Sequence, residues 1–189
     1  MKKSATIFAA AIAAALGLLS VGAAQADGYR GGRWGIFHHQ GAVAPLGFQL
    51  YCLKNPQQCR ASGKSSVDAS GSVMSTLARV NSSVNWSIKP RNDVGADTWT
   101  SDPTSGYGDC EDYAMTKRSH LIGMGLPASA LRIAYVKTRW GEGHAVLVVR
   151  TNSGEFVLDN LTSAILPIQQ TGLRVMSMSS ANPTEWYRS

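Results

Sequence analysis

The pattern of apolar residues predicts a helix in the middle of the chain. Steps of four, three and four residues separate Val73, Leu77, Val80 and Val84, which is the spacing of one face of an amphipathic helix. This helix is predicted to end near Trp86, shortly before a proline. The residues before it are rich in serine and glycine and are predicted to form a loop.

A long loop and a second helix are predicted next. Residues 91–108 contain Pro103 and three glycines without helical or strand periodicity, and a loop of this length in a compact domain is usually functional. The second helix is predicted to begin at Cys110, with Asp109 as its cap. Glycines and a proline from Gly123 onward end it.

The last third of the chain has the pattern of an antiparallel sheet. Residues 131–136 include β-branched and aromatic residues, which predicts a strand. Residues 144–149 are almost wholly apolar, which predicts an interior strand covered on both faces. Residues 152–154 predict a hairpin turn leading into a partner strand at 155–160. One or two further strands are expected within 165–178. The predicted class is α+β, two helices followed by an antiparallel sheet.

The first 26 residues are predicted to be a secretory signal peptide that is removed. Two lysines precede an apolar run at residues 7–21, and Ala24-Gln25-Ala26 has the small-x-small pattern of a cleavage site. A transmembrane anchor is the weaker alternative, because the apolar run is short. No other stretch is apolar enough to span a bilayer, so no stable membrane insertion is expected after cleavage.

The remaining chain divides into two parts. Residues 27–47 are rich in glycine, arginine and aromatic residues without periodicity, and an irregular N-terminal arm is predicted there. Residues 48–189 are predicted to form a single domain. The formal net charge of +6 falls to +4 when Lys2 and Lys3 are removed, and no basic block remains, so nucleic acid is not an expected partner.

The three cysteines are interpreted in the light of export to an oxidising compartment, where cysteines tend to pair. Cys52 and Cys59 flank a turn at Asn55-Pro56, which favours a disulfide worth about 2–3 kcal/mol. Half of a metal site is the alternative for this pair. Cys110 is then left unpaired, either as a reactive thiol or as a buried inert cysteine.

Cys110, His144 and Asp159 follow one another in the order found in thiol hydrolases and acyltransferases. A helix N-terminus favours negative charge and is expected to lower the pKa of the Cys110 thiol. His144 would accept the thiol proton, and Asp159 would orient the imidazole. A structural histidine and a turn or cap aspartate are the alternatives for the last two residues.

The hairpin turn decides whether His144 and Asp159 can meet. Side chains alternate along a strand, so an even number of turn residues places Asp159 opposite Val146 or Val148, on the face of His144. A turn of three residues would place His144 and Asp159 on opposite faces unless a bulge intervenes.

Three acidic residues crowd the predicted nucleophile. Asp109, Glu111 and Asp112 disfavour a thiolate at Cys110 if their carboxylates lie close to it. Either they point away as ordinary residues of a helix N-terminus, or a cation neutralises them. Carboxylate oxygens suit Ca²⁺, although two or three carboxylates do not complete its shell.

Three segments carry a resemblance to a known family. Gly108-Asp109-Cys110-Glu111-Asp112-Tyr113-Ala114, residues 143–147 and residues 157–161 together resemble the bacterial transglutaminase-like cysteine proteinases, over residues 45–168. The resemblance implies a papain-like, transglutaminase-type fold and a triad of Cys110, His144 and Asp159. It also implies Ca²⁺ bound by Asp109 and Glu111.

The resemblance further implies a location and partners. The LapG-type branch of the family contains periplasmic proteases that cut large surface adhesins under the control of an inner-membrane receptor for cyclic di-GMP. A periplasmic or secreted endopeptidase with a protein substrate of this type, and such a receptor, is therefore expected. The glycine-rich arm and Ala145 after His144 depart from the LapG pattern. The alternatives are acyl transfer by a transglutaminase or amidase, and a non-catalytic module that binds a peptide or calcium.

Overall fold

The computed structural model describes residues 40–188, which form three α-helices, nine strands and two single 3₁₀ turns. The predicted signal peptide and most of the predicted arm lie outside these residues. The helices are α1 (Leu46–Lys54), α2 (Gly71–Ser87) and α3 (Cys110–Gly123). The strands are β1 (Gln40–Ala42), β2 (Lys89–Pro90), β3 (Tyr107–Gly108), β4 (Leu131–Lys137), β5 (Gly143–Thr151), β6 (Gly154–Leu158), β7 (Leu166–Pro167), β8 (Arg174–Ser179) and β9 (Trp186–Arg188).

Seven of these strands form one antiparallel sheet in the order β1-β9-β8-β4-β5-β6-β7. The other two, β2 and β3, pair in parallel and close the base of the loop between them. The predicted α+β class is confirmed, as are α2, α3, the hairpin strands and a further strand within 165–178. A third helix, α1, was not predicted.

Both faces of the sheet are covered, as the apolar run in β5 predicted. Leu147 and Val149 belong to a buried cluster with residues of all three helices, including Leu77 of α2 and Leu121 of α3. The alternate residues of the same strand lie in a second cluster on the other face, made of Ala134, Val136, Val146, Val148, Val157, Ile168, Met178 and Tyr187. The two clusters pack against both faces of β5 and hold it in place. His144 is the second residue of this strand.

The hairpin between β5 and β6 has an even turn. Thr151 pairs with Gly154, which leaves only two residues in the turn, and the register continues to Leu147 opposite Leu158. Asp159 therefore follows at the position opposite Val146, which shares a face with His144 along the strand. The condition for a His144–Asp159 contact is met.

The N-terminal prediction differs from the structure at its described end. Residues 40–47 are not irregular: β1 pairs with β9, and α1 begins at Leu46. Packing stabilises this short helix, since the Phe48 ring makes edge-on contacts with two tryptophans. The ring centroids lie 5.7 Å apart for Trp99 and 5.4 Å apart for Trp186. Such contacts leave no periodic trace in a sequence. The predicted disulfide between Cys52, within α1, and Cys59 is present.

Gly47 is the point where α1 leaves room for Trp99. A Cβ atom at position 47 would overlap Cδ1 of the buried Trp99 indole. We expect Gly47→Ala to lower the free energy of unfolding by about 1–3 kcal/mol, because the overlap outweighs the gain in helix propensity. Urea unfolding of Gly47→Ala beside Gly71→Ala, whose added Cβ meets no atom within 4 Å, measures this. Equal stability of the two variants would contradict the close packing.

Candidate active site

The N-terminus of α3 presents the predicted nucleophile. Cys110 is the first residue of the helix and is half-buried, and Asp109 occupies the N-cap position. The Asp109 side chain makes no capping hydrogen bond, so the predicted cap was wrong in that respect: its Oδ2 accepts from the Asp93 amide at 3.2 Å. Gly108 is required just before, since a Cβ there would lie 2.6 Å from Oδ2 of Asp112.

His144 and Asp159 form a buried pair. Nε2 of His144 lies 2.8 Å from Oδ1 of Asp159, and the two residues are 6% and 8% exposed. Burial by itself raises the pKa of Asp159, but hydrogen bonds from His144 and the Leu161 amide outweigh it and hold that pKa below its usual value. The carboxylate is therefore an acceptor, Nε2 carries the proton, and Nδ1 is left as the basic nitrogen.

A single cavity contains both Cys110 and His144. Its volume is about 460 Å³, and it is lined by Pro45, Asp97, Trp99, Cys110, Glu111, Tyr135, Gly143, His144 and Ala145. The structure therefore brings the three residues predicted from their order in the chain into one place, with Asp159 behind His144. Tyr135, Trp99 and Pro45 add apolar surface to the walls.

The Cys110 thiol is directed to Glu111 in this structure. Sγ donates to Oε2 of Glu111 at 3.1 Å. Burial, together with the negative charge of Glu111, raises the pKa of Cys110 to about 12, although the Ala145 amide at Sγ acts in the opposite direction. The lowered thiol pKa expected from the helix N-terminus was wrong for this state of the site, because burial and a neighbouring carboxylate outweigh the helix dipole.

An acidic cluster lies beside the thiol. Carboxylate oxygens of Asp93, Asp97 and Asp109 lie within 4.8 Å of one another. Glu111 is not one of these three but hydrogen-bonds to Asp97 and Asp109, and burial and its hydrogen bond with Asp97 raise the pKa of Glu111 to about 9. Asp93 and Asp97 were missed as candidate ligands. The signal was present in the sequence: two aspartates four residues apart in the long loop before the nucleophile.

The donor set of this cluster fits a hard divalent cation. Oδ1 of Asp109 is buried and has no hydrogen-bond partner in the described residues. Carboxylates this close repel one another, and a proton on Glu111 is one way to relieve that repulsion. A cation with oxygen ligands would satisfy the unpartnered oxygen and relieve the repulsion together, and Ca²⁺ prefers such ligands.

The loop that supplies Asp93 and Asp97 is tied at its base and along its length. Lys89 pairs with Tyr107 and Pro90 with Gly108, so the two ends of the loop are held side by side. Within it, the Thr98 amide donates to Oδ2 of Asp93 at 2.7 Å, and the Trp99 indole donates to Oδ2 of Asp97 at 3.0 Å. The acidic cluster is thus built by a loop with fixed geometry.

A second histidine–aspartate pair joins His120 of α3 to Asp102 of the preceding loop. Nε2 of His120 lies 2.6 Å from Oδ1 of Asp102, and the two side chains are 40% and 54% exposed. Neither residue lines the cavity that contains Cys110. The His120–Asp102 pair is therefore a matched control for the buried His144–Asp159 pair.

A cysteine at a helix N-terminus, beside a His–Asp pair on an antiparallel sheet, defines the site class of the papain-like thiol enzymes. The chain belongs to the bacterial transglutaminase-like cysteine proteinases, since the model of that family (BTLCP) matches residues 38–188. The transglutaminase-type fold expected from the sequence is confirmed.

Solved structures of LapG from Legionella pneumophila are similar to this chain. The calcium-bound form is 30% identical with a TM-score of 0.55, and the match covers 62% of this chain and 71% of that one. The EGTA-treated form is 31% identical with a TM-score of 0.51, over 56% and 62% of the two chains. For that form the match spans less than two thirds of LapG. None of the curated proteins compared matches this chain.

The helices offer no candidate for a membrane span. Among residues 40–188, none combines the length and the apolar character that crossing a bilayer requires.

Proposed function

We propose that this chain is an exported, thiol-dependent endopeptidase in which Cys110 is the nucleophile, His144 the general base and acid, and Asp159 the residue that orients His144. The observation that carries the proposal is the buried hydrogen bond between His144 and Asp159 at the cavity that also contains Cys110. Membership of a cysteine proteinase family supports the reaction class.

The proposed reaction proceeds through a thioester. Nδ1 of His144 takes the thiol proton, and Sγ of Cys110 attacks the peptide carbonyl carbon. Collapse of the tetrahedral intermediate breaks the C–N bond, and the imidazolium gives its proton to the leaving amine. Water, deprotonated by His144, then attacks the thioester, which releases the carboxylic acid and restores the thiol.

The chain supplies two stabilising groups for these steps. The backbone N–H of Cys110 stands at the start of α3, where amides have no partner within the helix, and can donate to the developing oxyanion. Asp159 is ionised, so its carboxylate can accept a hydrogen bond from Nε2 of His144 and stabilise the imidazolium through its negative charge.

We further propose a calcium site at the acids beside the nucleophile. Asp93, Asp97 and Asp109 would hold the ion, with Glu111 beside Asp97 and Asp109. A bound calcium ion would supply positive charge that offsets these carboxylates. Glu111 would then be ionised without its proton, and the charge of the ion would offset the carboxylate charge that otherwise opposes ionisation of Cys110. One of the similar LapG structures is described as calcium-bound.

The proposed location and substrate follow from the sequence and the fold together. The predicted signal peptide and the Cys52–Cys59 disulfide favour a periplasmic or secreted protein. The cavity is lined by residues of β4 and β5, where a polypeptide substrate would meet Cys110 and His144. From the family resemblance, we propose a large surface adhesin as the protein substrate and an inner-membrane receptor as the controlling partner.

A peptide library tests the proposed reaction over many cleavage sequences at once. Wild-type protein and Cys110→Ala, each with calcium, are incubated with the library and an added primary amine, and new peptide ends are read by mass spectrometry. Hydrolysis predicts new free carboxyl and amino ends that depend on Cys110. Amine-capped ends in their place would favour acyl transfer, and no difference from Cys110→Ala would reject catalysis by this thiol.

A further inference from the structure

A buried lysine lies on the helix that carries the nucleophile, and no step above uses it. Lys117 lies in α3 after Cys110, and its side chain is 0% exposed. Its Nζ has no hydrogen-bond partner among residues 40–188. Lysine is almost never fully buried without a partner, because an ammonium group loses its hydration there. This loss lowers the pKa of Lys117 to about 7.

The opposite charge that acts on Lys117 is the carboxylate of Asp159. The attraction between them favours the ammonium form of Lys117 and the ionised form of Asp159. Two other groups contact the Asp159 carboxylate. His144 donates from β5, and the Leu161 amide donates from the loop after β6. The centroid of the Tyr113 ring lies 5.8 Å from Nζ of Lys117, and the Tyr113 hydroxyl donates to the Ile88 carbonyl.

The neighbouring residue on α3 shows what a structural buried cation does. Nε of Arg118 donates to the Leu131 carbonyl at 3.0 Å, and its Nη1 donates to the Gln58 carbonyl. These bonds tie α3 to the start of β4 and to the disulfide segment. The Lys117 ammonium makes no such bond, so hydrogen bonds to the backbone do not explain why a lysine is buried at this position. An apolar side chain of similar length would fill the same space without the cost of desolvation.

The loop that carries Asp159 is held through its backbone by α2. Nδ2 of Asn85 donates to the Asp159 carbonyl at 2.9 Å, and Nδ2 of Asn81 donates to the carbonyls of Thr162 at 3.1 Å and Ser163 at 3.2 Å. These bonds hold the backbone of the loop and do not involve the Asp159 carboxylate. Oδ1 of Asp159 accepts from Nε2 of His144 and from the Leu161 amide, and the charge of Lys117 adds to these bonds in favouring the ionised carboxylate.

We propose that Lys117 is a positioning residue whose buried ammonium is the counter-charge that keeps the Asp159 carboxylate ionised and turned toward His144. This role rests on the proposed function, because it acts on the reaction only through Asp159. Lys117 touches neither the thiol nor the cavity that would receive a substrate.

The first test compares Lys117→Met with Arg118→Met in the full chain with calcium. Hydrolysis of p-nitrophenyl acetate is followed against pH, at a temperature where both variants remain folded by circular dichroism. Lys117→Met is expected to lower kcat about tenfold with KM within about twofold, and to move the acid limb to higher pH. The direction follows because removing the cation raises the pKa of Asp159. Arg118→Met is expected to keep the wild-type acid limb.

A loss of kcat in Lys117→Met without a shift of the acid limb, matching Arg118→Met, would make Lys117 merely structural and overturn the proposal. Wild-type kcat and acid limb in Lys117→Met would overturn it as well.

A second measurement is independent of catalysis. Urea unfolding of Lys117→Met, Asp159→Asn and the double variant forms a mutant cycle, and coupled charges predict a non-additive result. Strict additivity would overturn the proposed pairing. If Cys110→Ala hydrolyses the ester as fast as wild type, the proposed function fails, and the cycle still decides whether Lys117 and Asp159 act on each other.

Discussion

Replacing His144 by alanine is expected to reduce hydrolysis of a peptide or an activated ester by about 10⁴-fold or more. The variant loses both the base that takes the thiol proton and the acid that protonates the leaving group. The measurement is the burst of p-nitrophenol from p-nitrophenyl acetate under calcium, which reports acylation of Cys110. The fold is expected to persist, because α3 and both apolar clusters pack without the imidazole, although Asp159 loses a buried hydrogen-bond partner and stability falls by about 1–3 kcal/mol.

The control for this prediction is His120→Ala. It removes the other His–Asp pair, which has a similar separation of 2.6 Å but is exposed and lies outside the cavity. The burst is expected to stay within about twofold of wild type, since exposed pairs contribute little. Equal losses in His144→Ala and His120→Ala would show that neither pair is specific to catalysis.

Calcium removal is the second prediction with a large effect. Saturating calcium is expected to raise Tm by about 5–10 °C, which corresponds to about 2.7 kcal/mol at a hundredfold excess over Kd. EGTA is expected to reverse this and to lower the ester burst at least tenfold, since in the cation-free site the pKa of Cys110 is raised to about 12. Differential scanning fluorimetry and the burst assay measure the two effects.

Asp97→Asn is the matched test of which acids hold the ion. It removes one carboxylate of the cluster, so the calcium-dependent rise in Tm is expected to shrink and to need higher calcium concentrations. Asp68→Asn removes an exposed carboxylate that accepts from Asn152, far along the chain from the cluster, and should keep the full response. A full response in both variants would place calcium elsewhere.

Much of the fold followed from local periodicity. Steps of three and four residues predicted α2, and the apolar run at 144–149 predicted a strand buried on both faces. Patterns of this kind depend on neighbours in the sequence, which is why they could be predicted. The sequence predicts the hairpin with Gly154 in its turn but leaves its register open. In the structure Gly154 belongs to β6, and the two-residue turn that remains sets the register that brings Asp159 to His144.

The features that the sequence did not predict depend on contacts between distant segments. Helix α1 is stabilised by packing of Phe48 on Trp99 and Trp186, far apart in the chain. The part of the acidic cluster formed by Asp93 and Asp97 exists because the β2–β3 pair folds their loop back onto α3.

The direction of the thiol pKa was also not predictable from position alone. A helix N-terminus favours a thiolate, but the burial of Cys110 and the approach of Glu111 are properties of the folded site, and they decide the sign. Lys117 illustrates the same limit. Nothing in a run of helical residues indicates that its ammonium is fully buried near Asp159.

The most direct test of a Cys110–His144 thiol centre is alkylation of Cys110 by iodoacetamide, followed against pH by intact mass in calcium. Cys110 is the free thiol among the described cysteines, so the signal is unambiguous. A thiolate–imidazolium pair predicts that Cys110 is alkylated fast at about pH 6–7 in calcium and that alkylation is slower in His144→Ala. In EGTA, alkylation is expected only at strongly alkaline pH. Slow alkylation with an ordinary midpoint near ~8.5, unchanged by His144→Ala or by EGTA, would contradict such a centre.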